Sequence, residues 1–240
     1  MKTNEFQSAR FILLDIEGTI SEQFFVRKVL FPYSAERLRT YVAKHYNNPV
    51  VRDCLKQTGA IDDEGAIVQL LEWISDDIKH PALKTLQGLI WREGYEADAF
   101  RAHLYDDVLP MWRAWIAEGR ELGIYSSGSK AAQDLFFHYS SKGDVREYLS
   151  AHFDLSTGSK RDPESYREIA SNVGFAPSEI LFLSDVVEEL DAARAAGFKT
   201  GLIVRDRNVN NDRSTILGAT QFITSGTASG HPVFTSLAEI

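Results

Sequence analysis

Four consecutive apolar residues, Phe11-Ile12-Leu13-Leu14, are followed at once by Asp15-Ile16-Glu17-Gly18-Thr19. A run this short fits a buried strand, and the carboxylates, glycine and hydroxyl after it read as the loop at its end. The pattern then turns helical for about 80 residues. Leu38, Tyr41 and Val42 repeat at helical spacing, as do Ile67, Leu70, Leu71, Ile74 and Ile78, and then Leu83, Leu86, Leu89 and Ile90. Pro49, Gly59 and Pro81 divide this block into roughly four helices. No strand-like run interrupts it, and it should carry a small core of its own around Trp73 and Trp91.

Near Asp106-Asp107-Val108-Leu109-Pro110 the pattern returns to helix alternating with strand. Met111 to Gly119 reads as a helix, Leu122 to Tyr125 as a strand ending at Ser126-Ser127-Gly128-Ser129, and Lys130 to Tyr139 as a helix. Phe153-Asp154-Leu155 is a short strand candidate. Asp162 is placed to cap a helix with Pro163 at its first position and Gly174 at its end. Ile180 to Leu183 is a buried strand delivering Ser184-Asp185; a helix then ends at Gly197 and Gly201 to Val204 forms a strand. Residues 205 to 217 read as a polar surface loop, and Thr220 to Ile223 carries weak strand signal. Strand alternating with helix implies an α/β fold with a parallel sheet covered on both faces. Residues 1–20 and 105–240 form this core, and 21–104 are a helical insertion after the first strand.

Composition narrows the function. A net charge of −8 over 240 residues argues against a nucleic-acid footprint. It does not argue against a phosphorylated substrate, because a cation and one lysine reverse the sign inside a cleft. A lone cysteine, Cys54, rules out an internal disulfide framework and fits a reducing, cytoplasmic compartment. The first residues hold no apolar signal core, and no run approaches a membrane span. Nothing in the sequence demands more than a monomer.

Three expected strands end in polar residues: Asp15 and Glu17, Ser126 and Ser127, Ser184 and Asp185. In a parallel sheet these ends lie along one edge, where ligands bind. Lys160 sits in the loop Thr157-Gly158-Ser159-Lys160 before a helix. Carboxylates from separate strands hold a hard cation through oxygen, hydroxyls and a lysine hold phosphate oxygens, and a further carboxylate can attack phosphorus. These parts describe an Mg²⁺-dependent phosphotransfer site.

The segments Asp15-Ile16-Glu17-Gly18-Thr19, Ile124-Tyr125-Ser126-Ser127-Gly128-Ser129, Lys160 and Phe182-Leu183-Ser184-Asp185-Val186 resemble, in order, the four motifs of the haloacid dehalogenase superfamily. More narrowly they resemble its enolase-phosphatase family, where Glu17 replaces the superfamily's usual aspartate. Leu30-Phe31-Pro32-Tyr33, Leu83-Lys84-Thr85-Leu86-Gln87-Gly88 and Glu164-Ser165-Tyr166-Arg167-Glu168-Ile169-Ala170 extend the likeness. The resemblance implies a Rossmann-like core with an inserted all-helical cap and one Mg²⁺. It implies a bifunctional phosphoric monoester hydrolase of methionine salvage. That enzyme enolises 2,3-diketo-5-methylthiopentyl-1-phosphate and hydrolyses the enol phosphate to the acireductone. Carried over by position, Asp15, Glu17 and Asp185 match metal-binding residues, and Ser126, Ser127 and Lys160 match substrate-binding ones.

Within that frame Asp15 is the nucleophile and a metal ligand, Glu17 handles protons and reaches the metal by carboxylate or backbone carbonyl, and Asp185 is the second metal carboxylate. Asp185 also stands where a cap for the helix Val186 to Ala196 would stand. Glu188 and Glu189 either steady the metal's water shell or are solvated charges on that helix. The enolising base is open among Glu17, Lys79, Lys84 and His80, the last also reading as a turn residue before Pro81. Phe24, Phe25, Phe31, Tyr33, Trp73 and Trp91 read mainly as packing, with some facing the substrate's apolar tail. A cap that closes would expel water from the reaction. The nearest alternative is another capped phosphatase of the superfamily acting on a different small phosphate ester. A dehalogenase needs no paired metal carboxylates, a receiver-type signalling domain lacks the long helical block, and a binding protein without catalysis would not keep Asp15.

Overall fold

The apolar run after Arg10 forms β1 (Phe11–Leu14), fully buried, in a computed structural model that describes residues 6–205, 227–228 and 230–240. The expected strand at Thr220 to Ile223 lies outside the described residues. The chain divides into one unit of Met1–Gln23 with Ala102–Ile240 and another of Phe24–Arg101.

The second unit is helical. A π-turn (Val26–Leu30) leads into α1 (Phe31–Lys44), α2 (Pro49–Lys56), α3 (Asp63–Ser75) and α4 (Pro81–Glu96). Side chains that accept backbone N–H groups start three of these helices. Asn48 accepts from Val50, Asp62 from Gly65 and His80 from Ala82, supplying partners the first turn lacks. The core of this unit is aliphatic, built from Leu38, Val42, Leu55, Leu70, Leu86 and Ile90. Trp73 packs against its edge. Trp91 lies against the π-turn, its indole N–H donating to the Leu30 carbonyl at 2.9 Å. Neither tryptophan is the centre expected of it, because the periodic leucines and isoleucines already fill the space between the helices.

In the first unit the remaining elements run α5 (Val108–Ala117), β2 (Glu121–Tyr125), α6 (Lys130–His138), β3 (Ala151–Phe153), α7 (Pro163–Val173), β4 (Ile180–Ser184), α8 (Val187–Ala195), β5 (Lys199–Ile203), β6 (Thr227–Ala228) and β7 (His231–Phe234). The sheet order is β3-β2-β1-β4-β5-β7-β6, parallel except for the β6–β7 pair. β1 is therefore central, which explains why its four residues are all apolar: both faces are covered. Alternation along the strand sends Phe11 and Leu13 into the cluster that also holds Tyr125, Tyr166, Ile169, Phe182 and Leu190.

Several boundaries moved from expectation. β3 begins at Ala151 and ends at Phe153, because Asp154 turns away to accept the Lys130 N–H at 3.0 Å. α5 starts at Val108, ahead of Pro110, whose missing N–H costs nothing in a first helical turn. Asp162 caps α7 and Gly174 ends it, as the sequence indicated. No helix of the described residues is long and apolar enough to cross a membrane.

Candidate active site

Register sets the site. Leu14 stands opposite Ile124 on β2 and Leu183 on β4. The next residues outward are Asp15, Tyr125 and Ser184, followed by Ser126 and Asp185, so residues far apart in sequence leave the sheet along one edge. The Asp15 N–H still donates to the Leu183 carbonyl at 3.0 Å, fixing the aspartate where the strand ends. Asp15 is 7% exposed. Beyond it the chain folds over the Ile16 carbonyl, which accepts from Ile20 at 3.0 Å and Ser21 at 2.9 Å. Gly18, at φ +76°, is the pivot of that turn. A β-carbon there would collide with the Asp185 carboxylate. The turn that follows Asp15 is thus seated directly on Asp185.

Lys160 is buried between two carboxylates. Its Nζ lies 2.6 Å from Asp15 Oδ1 and 2.6 Å from Glu189 Oε2. Ser184 Oγ donates to the same Glu189 oxygen at 3.0 Å. Burial alone would pull the Lys160 ammonium down, but Asp15 and Glu189 outweigh it and the group is raised above its ordinary value. Burial holds the Glu189 carboxyl above its usual range, and Asp15 adds to this against the pull of Lys160. Two acids thus share one ammonium in a place largely shielded from water.

Of the other expected residues, Ser126 is buried at the end of β2, and its Oγ accepts the Gly128 N–H at 3.2 Å. Ser127 is exposed, Glu17 half-buried and Glu188 exposed. Asp185 is not the helix cap: α8 begins at Val187, and the Val186 N–H donates to Ser184 Oγ. Lys79 pairs with Asp77, and His80 caps α4 while stacking on Trp73. Among the described residues no group of three His, Cys, Asp or Glu side chains is placed to hold a metal. Mg²⁺ does not need one, since it is commonly held by one or two carboxylates and keeps several waters. Asp15 and Asp185 offer hard oxygen donors suited to it, and the missing side chain at Gly18 leaves the room that the Asp185 carboxylate fills.

The model of the haloacid dehalogenase-like hydrolases matches residues 10–197. Enolase-phosphatase E1 of Stenotrophomonas maltophilia is 49% identical over 201 residues, covering 82% of this chain and 87% of that protein. The chain belongs to the enolase-phosphatase family of these hydrolases. The Citrobacter koseri Enolase-phosphatase E1 is 49% identical over 202 residues, covering 82% of this chain and 88% of its own length. The crystal structure of UTR4 (unknown transcript 4 protein) from Saccharomyces cerevisiae aligns with a TM-score of 0.78 at 32% identity, over 95% of this chain and 98% of that one.

In this enolase-phosphatase the sequence left two residues short of their place. Glu189, which the sequence leaves open between the metal's water shell and a solvated helix charge, is the second partner of Lys160; its signal is a position one helical turn after Asp185. Arg205, taken as the start of a surface loop, is 8% exposed. Its Nε donates to the Thr19 carbonyl at 2.7 Å and its Nη1 to Asp107 Oδ2 at 2.6 Å. Asp107 Oδ2 also accepts from Ser236 Oγ at 2.7 Å and Leu237 N at 2.8 Å. The arginine thereby ties the turn carrying Glu17 and Gly18 to the end of the chain. Nothing local marks it, since the contacts are made by tertiary structure alone.

Proposed function

We propose that this enolase-phosphatase acts on 2,3-diketo-5-methylthiopentyl-1-phosphate in methionine salvage in the cytoplasm. It enolises the substrate and hydrolyses the enol phosphate to the acireductone 1,2-dihydroxy-3-keto-5-methylthiopentene. The observation that carries the reading is the buried Lys160, 2.6 Å from both Asp15 and Glu189, in a chain 49% identical to proteins named Enolase-phosphatase E1.

A carboxylate of Asp15 attacks phosphorus, and the bond from phosphorus to the enol oxygen breaks with its electron pair going to that oxygen. An enolate leaves more readily than an alkoxide. Glu17 donates a proton to it and then takes one from the water that attacks phosphorus. The Asp15 oxygen–phosphorus bond breaks, phosphate departs and the carboxylate is restored. Lys160, Ser126 and Ser127 bind the phosphoryl oxygens; phosphoryl transfer is mostly positioning and neutralisation of charge. One Mg²⁺ belongs to this reading, held by Asp15 and Asp185 through their carboxylates and by Glu17 through its carboxylate or backbone carbonyl. When bound it supplies positive charge to the phosphoryl oxygens and to the ketone that becomes the ene-diolate. For the first half-reaction Glu17 is the base and Lys84 the alternative, since His80 and Lys79 are engaged in bonds within the helical unit. The partner is a small phosphorylated molecule, with neither nucleic acid nor membrane, and the protein works as a monomer.

The diketone phosphate should lose its ketone absorbance and release phosphate when mixed with the protein and Mg²⁺, and do neither in chelator. Phosphate release from a generic ester with no reaction of the diketone would reassign the chain to another capped phosphatase of the superfamily.

A further inference from the structure

We infer that Tyr125 and Tyr166 are positioning residues for Lys160, clamping the backbone of the loop that carries it; this rests on the reading of Lys160 as the phosphate-binding cation. Both rings are wholly buried. The Tyr166 hydroxyl donates to the carbonyl of Lys160 itself at 2.7 Å. The Tyr125 hydroxyl donates to the carbonyl of Gly158 at 3.0 Å. The two rings meet edge to face at 5.5 Å, so each steadies the other.

The loop's own turns use its N–H groups. Thr157 N donates to Asp154 O, Gly158 N to Leu155 O and Asp162 N to Ser159 O. The carbonyls of residues 158 and 160 point the other way, into the core, where an unmet acceptor is costly. The tyrosines meet that need. Gly158, at φ +136°, lies so close to the first turn of α7 that a β-carbon would collide with Ser165 Oγ. The loop therefore has one seat, set at its two carbonyls by phenols from β2 and α7.

The carboxylates of Asp15 and Glu189 pull on the far end of the Lys160 side chain, and the phenols set where that side chain begins. The Tyr125 ring also lies under the ammonium, with Nζ 5.7 Å from its centroid. Losing a hydroxyl alone would free a carbonyl to seek another donor and let the lysine swing off the phosphate position. Burial pushes both phenols upward, so they remain donors across working pH.

The test uses the full chain with Mg²⁺ and inorganic phosphate as probe, measured as a competitive inhibitor of a generic phosphate ester. Tyr166→Phe removes only the hydroxyl and should weaken phosphate about fivefold to tenfold. Tyr125→Phe should do so by a smaller factor, with the Mg²⁺ requirement unchanged in both. In a Lys160→Ala background, adding Tyr166→Phe should leave inhibition and residual kcat/KM unmoved, because the residue it positions is gone. A general structural role would instead produce the same loss in both backgrounds, and that result overturns the inference. Thermal midpoints identify any variant that fails to fold, and the second tyrosine variant then decides. Weakened phosphate in Lys160→Ala with wild-type affinity in both tyrosine variants overturns the inference alone. Unchanged affinity in Lys160→Ala overturns the reading of Lys160, and the inference with it.

Discussion

Lys160→Met keeps nearly the same volume and removes the one positive charge between Asp15 and Glu189. Each carboxylate has an oxygen 2.6 Å from Nζ, so the two oxygens lie no more than twice that distance apart. At an effective dielectric near 20 their repulsion is about 3 kcal/mol once the ammonium is gone. All three side chains are mostly shielded from water, which leaves little screening. Removing one partner of a buried ion pair typically costs about 3–5 kcal/mol, in line with that figure. The pH dependence is more telling than the size. The Glu189 carboxyl is already raised by burial and by Asp15, and losing the ammonium raises it further. A carboxyl raised in the folded state contributes stability when protonated, fully below its unfolded value, and loses it as pH rises through the folded one. Urea unfolding of the variant against wild type should show a deficit of about 3 kcal/mol at pH 8 that shrinks towards pH 5. Equal stability at pH 8, or a deficit that does not change with pH, would refute a lysine buried between two acids.

Gly18→Ala places a β-carbon against the Asp185 carboxylate and forces a left-handed alanine. It should cost about 1–2 kcal/mol by denaturation and raise the Mg²⁺ concentration for half-maximal turnover about tenfold; an unchanged Mg²⁺ requirement would separate Asp185 from the metal. Arg205→Ala strips donors from the Thr19 carbonyl and from half-buried Asp107, which keeps Ser236 and Leu237 as donors, so stability should fall by about 2–3 kcal/mol; a near-neutral thermal midpoint would contradict that tie. His231 is fully buried, with Nδ1 2.7 Å from Thr200 Oγ1 and Nε2 3.1 Å from Asp191, and burial holds its imidazole below the ordinary value. A depressed histidine binds its proton more readily when unfolded, so its stabilisation is present above the unfolded value and lost as pH falls below it. The stability gap between wild type and His231→Gln should therefore be wider at pH 7.5 than at pH 5; a gap that widens on acidification would show the reverse linkage.

Local chemistry made much of this molecule readable. Phe11 to Leu14 is apolar throughout because β1 is central, and Asp15 follows at once because the strand ends at the site. Asp162, Pro163 and Gly174 delimit α7 through capping rules that need no distant partner. Lys160 could be placed only by motif, since a lysine before a helix is ordinarily solvated and its burial depends on carboxylates from two other elements. Arg205 escapes for the same reason, and for Glu189 the sequence leaves two readings open, a group beside the metal's water or a solvated charge. Each is a charged residue in a polar stretch, and its partners lie 186 positions away at Thr19 and 29 positions away at Lys160 (189 − 160). Trp73 and Trp91 misled through size: a large ring suggests a core centre, but aliphatic residues repeating along the helices already filled it.

The central claim is that Asp15 attacks phosphorus and takes no part as the enolising base. Asp15→Asn, given the diketone phosphate and Mg²⁺, should convert it to the enol phosphate and release no phosphate. Continued phosphate release, or a diketone left wholly unreacted, would contradict it.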